Sequence, residues 1–411
     1  MNFERFILNQ KLSIESQKFL LAIFITNIGN GFYTLTLSKL IYDKTGSILG
    51  FGLILMSEQV AKILLQTYAG YIADKISPIK ICKYSDLFRG ILFLLAAVCL
   101  YHKNFLLCVS LTTFAVNFFK PFYIASAFCF AIYYNPSEVL KKYNALFLGL
   151  KQGGYLIGVM MSGLLLVFLN THDVIFLDGI TYFISFLLIH SIFNYFKGGT
   201  IIRGSLFSIS ELIRDWKETI RLIKNDSRLI VAVLKPCLDP IIFCFIQIML
   251  VPLSVQFYHG KPIVLSLLQS AFVFGMIIGH YSMEKIYVFF PFLLKQRENS
   301  LPIIQGILIA CLPFGNNIYI HLFILFITGI FNTDSLSYHY SQLQKETPSS
   351  YQAKIVSIYL IITSLMLGFY ISVISYMEMY HFYLSFLFTA LIIFCLSLII
   401  KILKNYSLKL Q

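Results

Sequence analysis

The sequence predicts an all-α integral membrane protein with twelve transmembrane helices in two pseudo-symmetric halves of six. Composition is the first observation: 58% of the 411 residues are hydrophobic and 12% are charged, and the mean hydropathy is +0.78. Such a chain has too little polar surface for a water-soluble domain. The second observation is a series of long, nearly uncharged stretches, each close to the roughly 20 residues that a helix needs to cross a bilayer core.

Each stretch is interpreted as a helix because its apolar residues follow one another without alternation. A transmembrane β-barrel would show shorter segments in which polar and apolar residues alternate. The predicted spans are 17–41, 46–69, 84–101, 105–134, 143–169, 172–196, 227–257, 262–282, 300–315, 318–341, 355–378 and 381–403.

The third observation is the placement of the basic residues, which give the chain a formal charge of +13. If the N-terminus is cytoplasmic, most of the 32 basic residues lie in or beside cytoplasmic segments. Lys39, Lys44, Lys103 and Lys261 lie on the other side. This bias is the positive-inside rule. It predicts an inner-membrane protein with both termini in the cytoplasm, and it accounts for the basic charge without a nucleic-acid partner.

A single long polar segment separates the sixth and seventh spans. Apolar residues in its second part, including Trp216, recur every three or four positions, which predicts an amphipathic helix on the cytoplasmic membrane surface. A weak similarity between 59–76 and 269–286 suggests that the two halves are duplicated. The predicted organisation is an N-terminal half 1–196, a linker 197–226 and a C-terminal half 227–411.

The sequence offers no pattern for catalysis or metal binding. The eight cysteines form no C-x-x-C pair, and the eight histidines form no pair at metal-ligand spacing. No nucleophile stands beside a matching base. We therefore expect no enzyme activity, no metal and no cofactor.

The stretch "AGYIADKISPIK", 69–80, lies between the second and third spans. It resembles the signature G-x-x-x-D-[R/K]-x-G-x-x-[R/K] of the major facilitator superfamily. The matching residues are Gly70, Asp74, Lys75 and Lys80. The resemblance implies the fold of that superfamily and a conformational latch, in which Asp74 holds helix ends together. The N-terminus of the eleventh helix, at 347–354, and Arg89 are the candidate partners of Asp74.

The fifth span contains "GYLIGVMMSG", which resembles the antiporter motif of drug exporters at Gly154, Gly158 and Gly163. Together with "FLDGITYFIS" in the sixth span, it is similar to the exporter branch of the superfamily that contains macrolide efflux pumps and the enterobactin exporter. This resemblance implies secondary transport driven by the proton gradient, in the direction of export.

Ionisable residues inside membrane helices are costly, so each is a candidate functional group or a paired structural one. The candidates for proton coupling are Glu58, Asp239 and Asp334. Glu58 stands four residues before Lys62, so a neutralised ion pair and a proton carrier are both open. Asp178, in the sixth span, is interpreted as structural.

A second set of polar residues within the spans is predicted to line a substrate cavity. Three lysines in this set favour a cargo with an anionic or zwitterionic part. The candidates are Gln59, Lys62, Asn117, Lys120 and Lys235.

The predicted function is proton-coupled export of a small molecule or peptide, such as an antibiotic or siderophore, by alternating access. The alternatives are nutrient uptake by proton symport and a membrane scaffold that transports nothing. The expected partners are the cargo and the lipid bilayer, and we expect a monomer.

Overall fold

The computed structural model describes residues 12–99, 105–135, 137–193, 209–289, 291–347 and 352–409, with only the backbone described at some positions inside the helices. The ordered elements within these ranges are helical, which confirms the predicted all-α fold. The helices are α1 Ile14–Thr45, α2 Leu49–Lys75, α3 Pro78–Cys99, α4 Phe105–Tyr134, α5 Ser137–Phe168, α6 Thr171–Phe193, α7 Ile209–Asn225, α8 Ser227–Leu234, α9 Leu238–Tyr258, α10 Pro262–Phe289, α11 Pro291–Cys311, α12 Ile318–Glu346, α13 Gln352–Tyr380 and α14 Phe382–Lys409.

Ten spans among the described residues are long and apolar enough to cross a membrane, with α8 and α9 together forming one of them. The helix α3 is more highly charged, and the apolar part of α11, at Leu301–Phe314, is shorter; these two helices complete the predicted set of twelve. A multi-pass membrane protein is therefore the architecture that the chain adopts.

The chain forms two compact units. Unit 1 contains residues 1–44 and 60–205, and unit 2 contains residues 45–59 and 206–411. The division falls inside α2, so the start of that helix groups with unit 2. The boundaries expected from the sequence, at 196 and 227, remain a prediction.

The amphipathic helix expected in the linker is present as α7. Its last turn packs into unit 2, where Ile223 joins a buried cluster with Leu229 of α8 and Leu343 of α12. Thr219 is fully buried, whereas Arg214 is exposed. The C-terminal end of α7 therefore covers part of the core of unit 2.

Glycines bring α1 and α5 of unit 1 into backbone contact. A Cβ atom at Gly158 would lie closer than 3.0 Å to the carbonyl oxygen of Ile28, and one at Gly154 would lie equally close to that of Phe24. Gly31 of α1 has no room for a Cβ either, because the backbone of α5 occupies the space. This is the close approach that small residues permit between membrane helices. Gly163, the third glycine of the motif, is buried.

Replacing Gly158 with alanine is expected to separate α1 from α5 and to destabilise the protein by about 1–3 kcal/mol, the usual cost of overpacking. Gly153→Ala is the matched control, because a Cβ there has no neighbour within 4 Å. Thermal unfolding of the purified variants measures the difference. Equal unfolding temperatures for the two variants would contradict this account of the α1–α5 contact.

Glycines also bring α10 and α12 of unit 2 into backbone contact. Cβ atoms at Gly275 and Gly329 would lie closer than 3.0 Å to the carbonyl oxygens of Phe326 and Phe272, respectively. Gly279 meets the backbone of Ile330 in the same way. The glycines of both units therefore fix close helix pairs.

The seventh predicted span is interrupted where α8 ends and α9 begins. A 3-10 turn, Lys235–Cys237, joins the two helices. Pro236 lies in this turn, and Pro240 follows in the first turn of α9. Because proline lacks an N–H and clashes with the preceding turn, the interruption follows from these two residues. It places Lys235 within this interruption of the span and Asp239 directly after it.

Candidate functional site

A buried polar cluster in unit 2 is centred on Asp239, at the start of α9. The Oδ2 atom of Asp239 lies 3.1 Å from Nδ1 of His339 on α12. Both residues are at most 1% exposed. Ser335, one turn before His339, also contacts Nδ1 of its ring, at 3.4 Å. The sequence alone had not indicated His339, which lies 100 residues from Asp239.

Asn332 extends this cluster toward α11. Its Nδ2 donates to the backbone oxygen of Asp239 at 3.1 Å and to Oε1 of Gln305 at 3.3 Å. Gln305 lies on α11 and is fully buried. The side chains of α12 that take part are three or four residues apart and therefore share one face of the helix. We refer to Asp239, Gln305, Asn332, Ser335 and His339 as the Asp239 cluster.

The Asp239 cluster is suited to holding a single proton. A carboxylate oxygen accepts a hydrogen bond, and a ring nitrogen of histidine either donates or accepts one, so the two side chains can share a proton between them. Among the described residues, the second carboxylate oxygen of Asp239, Oδ1, is buried and has no hydrogen-bond partner. Oδ1 of Asp239 is therefore available to bind a proton in this low-dielectric interior.

Asp334, a predicted coupling residue, lies on α12 and is 4% exposed. Its position, two residues after Asn332 and one before Ser335, places it on a different face of the helix from the Asp239 cluster. Asp334 has interactions of its own.

A second buried cluster lies within unit 1. Asp86 and Arg89 form an ion pair one turn apart on α3, and Ser185 of α6 donates to Oδ2 of Asp86 at 2.6 Å. The guanidinium carbon of Arg89 lies 4.4 Å from the ring centre of Tyr123 and 4.7 Å from that of Tyr182. We refer to these five residues as the Arg89 cluster. Asp86 is fully buried and Arg89 is 5% exposed.

The latch residues are described only in part. Arg89, expected as a partner of Asp74, binds Asp86 of its own helix. Lys80 is exposed at the start of α3. Gly70, Asp74 and Lys75 lie near the end of α2, and their side chains fall outside the described residues. The stretch 348–351, within the expected partner segment, lies outside them as well.

The predicted cavity residues lie on α2, α4 and the turn after α8. Gln59 and Asn117 are buried, at 7% and 8% exposure. Lys235 is 5% exposed. Glu58, Lys62 and Lys120 are partly buried. The charged members of this set each interact with other residues of the protein; they are Glu58, Lys62, Lys120 and Lys235.

The fold and the buried charges define a class of protein: a polytopic helical membrane protein with ionisable groups inside its spans, as in transporters. Residues 19–367 match the family model of the Major Facilitator Superfamily. The chain therefore belongs to this superfamily and is a transporter rather than an enzyme. The comparison with curated proteins gave no match.

Solved transporter structures share this fold. A bacterial homologue of the human lysosomal transporter Spinster, inward-facing and occupied, has a TM-score of 0.72 at 12% identity, over 96% of this chain and 97% of that chain. An auto-inhibited POT family peptide transporter has a TM-score of 0.72 at 10% identity, over 96% and 97% of the two chains. A bacterial homologue of the iron transporter ferroportin has a TM-score of 0.69 at 12% identity, over 95% and 99%. At these identities the likeness establishes the fold.

Proposed function

We propose that this protein exports a small molecule or peptide with an anionic or zwitterionic part across the inner membrane, in exchange for protons. The observation that carries the proposal is the buried Asp239–His339 pair in a transporter of this superfamily. Transport proceeds by alternating access between inward-open and outward-open states.

Proton coupling requires a group whose proton occupancy changes the relative stability of two conformations. Adding a proton to the Asp239–His339 pair changes its net charge, and the cost of burying charge depends strongly on the surroundings. A conformation that exposes the pair to water therefore tolerates the charged form better than one that buries it. Glu58 and Asp334, both predicted from the sequence, are further candidates for the same role.

One feature supports export rather than import. The glycines of α5 resemble an antiporter motif, and Gly154 and Gly158 lie in close backbone contact with α1. The lysines at 62, 120 and 235 support a cargo with negative charge, since a cation inside a membrane protein favours an anionic partner. The basic residues support an inner-membrane location with both termini in the cytoplasm.

The test compares cells that produce the wild type, Asp239→Asn or no protein, for secretion of and resistance to a panel of antibiotics, siderophores and peptides. We expect wild-type cells to secrete or resist at least one anionic or zwitterionic member, and Asp239→Asn cells to resemble cells without the protein. Asp43→Asn is the matched control, because Asp43 is exposed and its Oδ2 pairs with Nζ of nearby Lys39, at 2.7 Å. Greater accumulation of the same compound inside wild-type cells would instead establish uptake.

A further inference from the structure

Asp178 of α6 is a buried carboxylate that the coupling proposal does not use. It is fully buried, and among the described residues neither Oδ1 nor Oδ2 makes a hydrogen bond of normal geometry, although the Thr181 side chain lies next to the carboxylate. The backbone of α1 packs directly against it, because a Cβ atom at Gly29 would lie closer than 3.0 Å to Oδ1. The hydroxyl of Thr181 donates to the backbone oxygen of Asp178 at 2.7 Å.

The neighbouring groups leave Asp178 without a cation of its own. Arg89 stacks on Tyr182, one turn along α6 from Asp178, but its guanidinium is bound to Asp86. The hydroxyl of Tyr182 donates to Oδ1 of Asn30 on α1, at 2.9 Å. Among the described residues, the titratable or charged groups that interact with Asp178 are Arg89 and Tyr182.

Acidic side chains outnumber basic ones around Asp178. The carboxylates of Asp86 and Asp178 are both buried, and both interact with the one guanidinium of Arg89, so that full ionisation would leave a net negative charge inside the helix bundle. An uncompensated buried charge costs several kcal/mol. The region is stabilised if it takes up one positive charge at the carboxylate that lacks a hydrogen bond.

We propose that Asp178 is a proton-binding site in unit 1 that is occupied in the folded protein. Packing favours a proton over a metal cation, since the α1 backbone at Gly29 and the Thr181 side chain fill the space at Oδ1. A metal ion needs several oxygen ligands and room for itself. The Thr181 hydroxyl, which donates to a carbonyl, keeps lone pairs that accept the proton of a neutral Asp178.

The site rests on the geometry of unit 1 and not on the proposed export. Its test therefore uses purified protein and no cargo. The infrared difference spectrum of wild type minus Asp178→Asn, recorded at pH 7, reports the protonation of this one side chain. We expect the carbonyl band of a protonated carboxylic acid, shifted by deuterium exchange. The bands of an ionised carboxylate would overturn the proposal, whether or not the protein transports.

Thermal unfolding is a second, independent test of whether Asp178 is protonated in the folded protein. Asparagine is isosteric with a neutral aspartic acid, so Asp178→Asn should unfold at or above the wild-type temperature at pH 8. A proton held only in the folded state favours folding in acid, and its contribution is lost as the pH rises. The wild-type unfolding temperature should therefore fall between pH 5 and pH 8 more than that of Asp178→Asn. If Asp178→Asn unfolds well below the wild-type temperature, or fails to fold, then Asp178 is an ionised partner of Arg89 and the proposal is overturned.

Discussion

Replacing Arg89 with leucine is expected to prevent the folded protein from accumulating. The change leaves Asp86, which is fully buried and paired with Arg89, without its cation. Removing one partner of a buried ion pair costs about 3–5 kcal/mol, a large share of the roughly 5–15 kcal/mol that stabilises a typical protein. The loss of stacking against Tyr123 and Tyr182 adds to this cost.

Size-exclusion chromatography of detergent extracts, with a fluorescent fusion, measures the amount of folded protein. Arg214→Leu is the control, since Arg214 is exposed on α7. Arg89→Lys should recover part of the folded fraction, because lysine restores the charge but not the planar, stacked contact. A wild-type yield and unfolding temperature for Arg89→Leu would show that the Arg89 cluster does not stabilise unit 1.

Asp239→Asn is expected to reduce uphill transport to background while exchange of cargo across the membrane continues. The variant keeps the shape of the side chain but has no titratable group, so movement of cargo is no longer linked to the gradient. His339→Gln should have the same effect, because it removes the other member of the pair. Transport assays in proteoliposomes, with and without a pH gradient, separate uphill accumulation from exchange.

The same assay decides between the three candidate carboxylates. Glu58→Gln and Asp334→Asn are each expected to leave exchange intact, and the variants that lose uphill transport identify the coupling groups. Asp43→Asn controls for loss of surface charge. Full uphill transport in both Asp239→Asn and His339→Gln would reject the Asp239 cluster as a coupling site.

The fold was predictable because its main determinant is local. Spans of about 20 apolar residues must be helical in lipid, and no tertiary information is needed to recognise them. The contact made by Gly154 and Gly158 was likewise visible as a short motif. The matching pair in unit 2, Gly275 and Gly279, has the same small-residue spacing and could have been found in the same way.

The candidate sites were less predictable because their partners are distant in sequence. Spacing along one helix draws attention to Lys235 as a neighbour of Asp239, but it contains no information about His339 on α12. Asp86 and Ser185, 99 residues apart, meet for the same reason. Only the packing of α3 against α6, and of α9 against α12, brings these groups together.

Inverted membrane vesicles test proton-coupled export most directly. Vesicles containing the wild-type protein, energised by a proton gradient that is acidic inside, should accumulate a cargo identified from the secretion panel. Accumulation should stop when a protonophore is added, and Asp239→Asn vesicles should show none. Accumulation that persists with the protonophore, or that occurs only in right-side-out vesicles, would contradict proton-driven export.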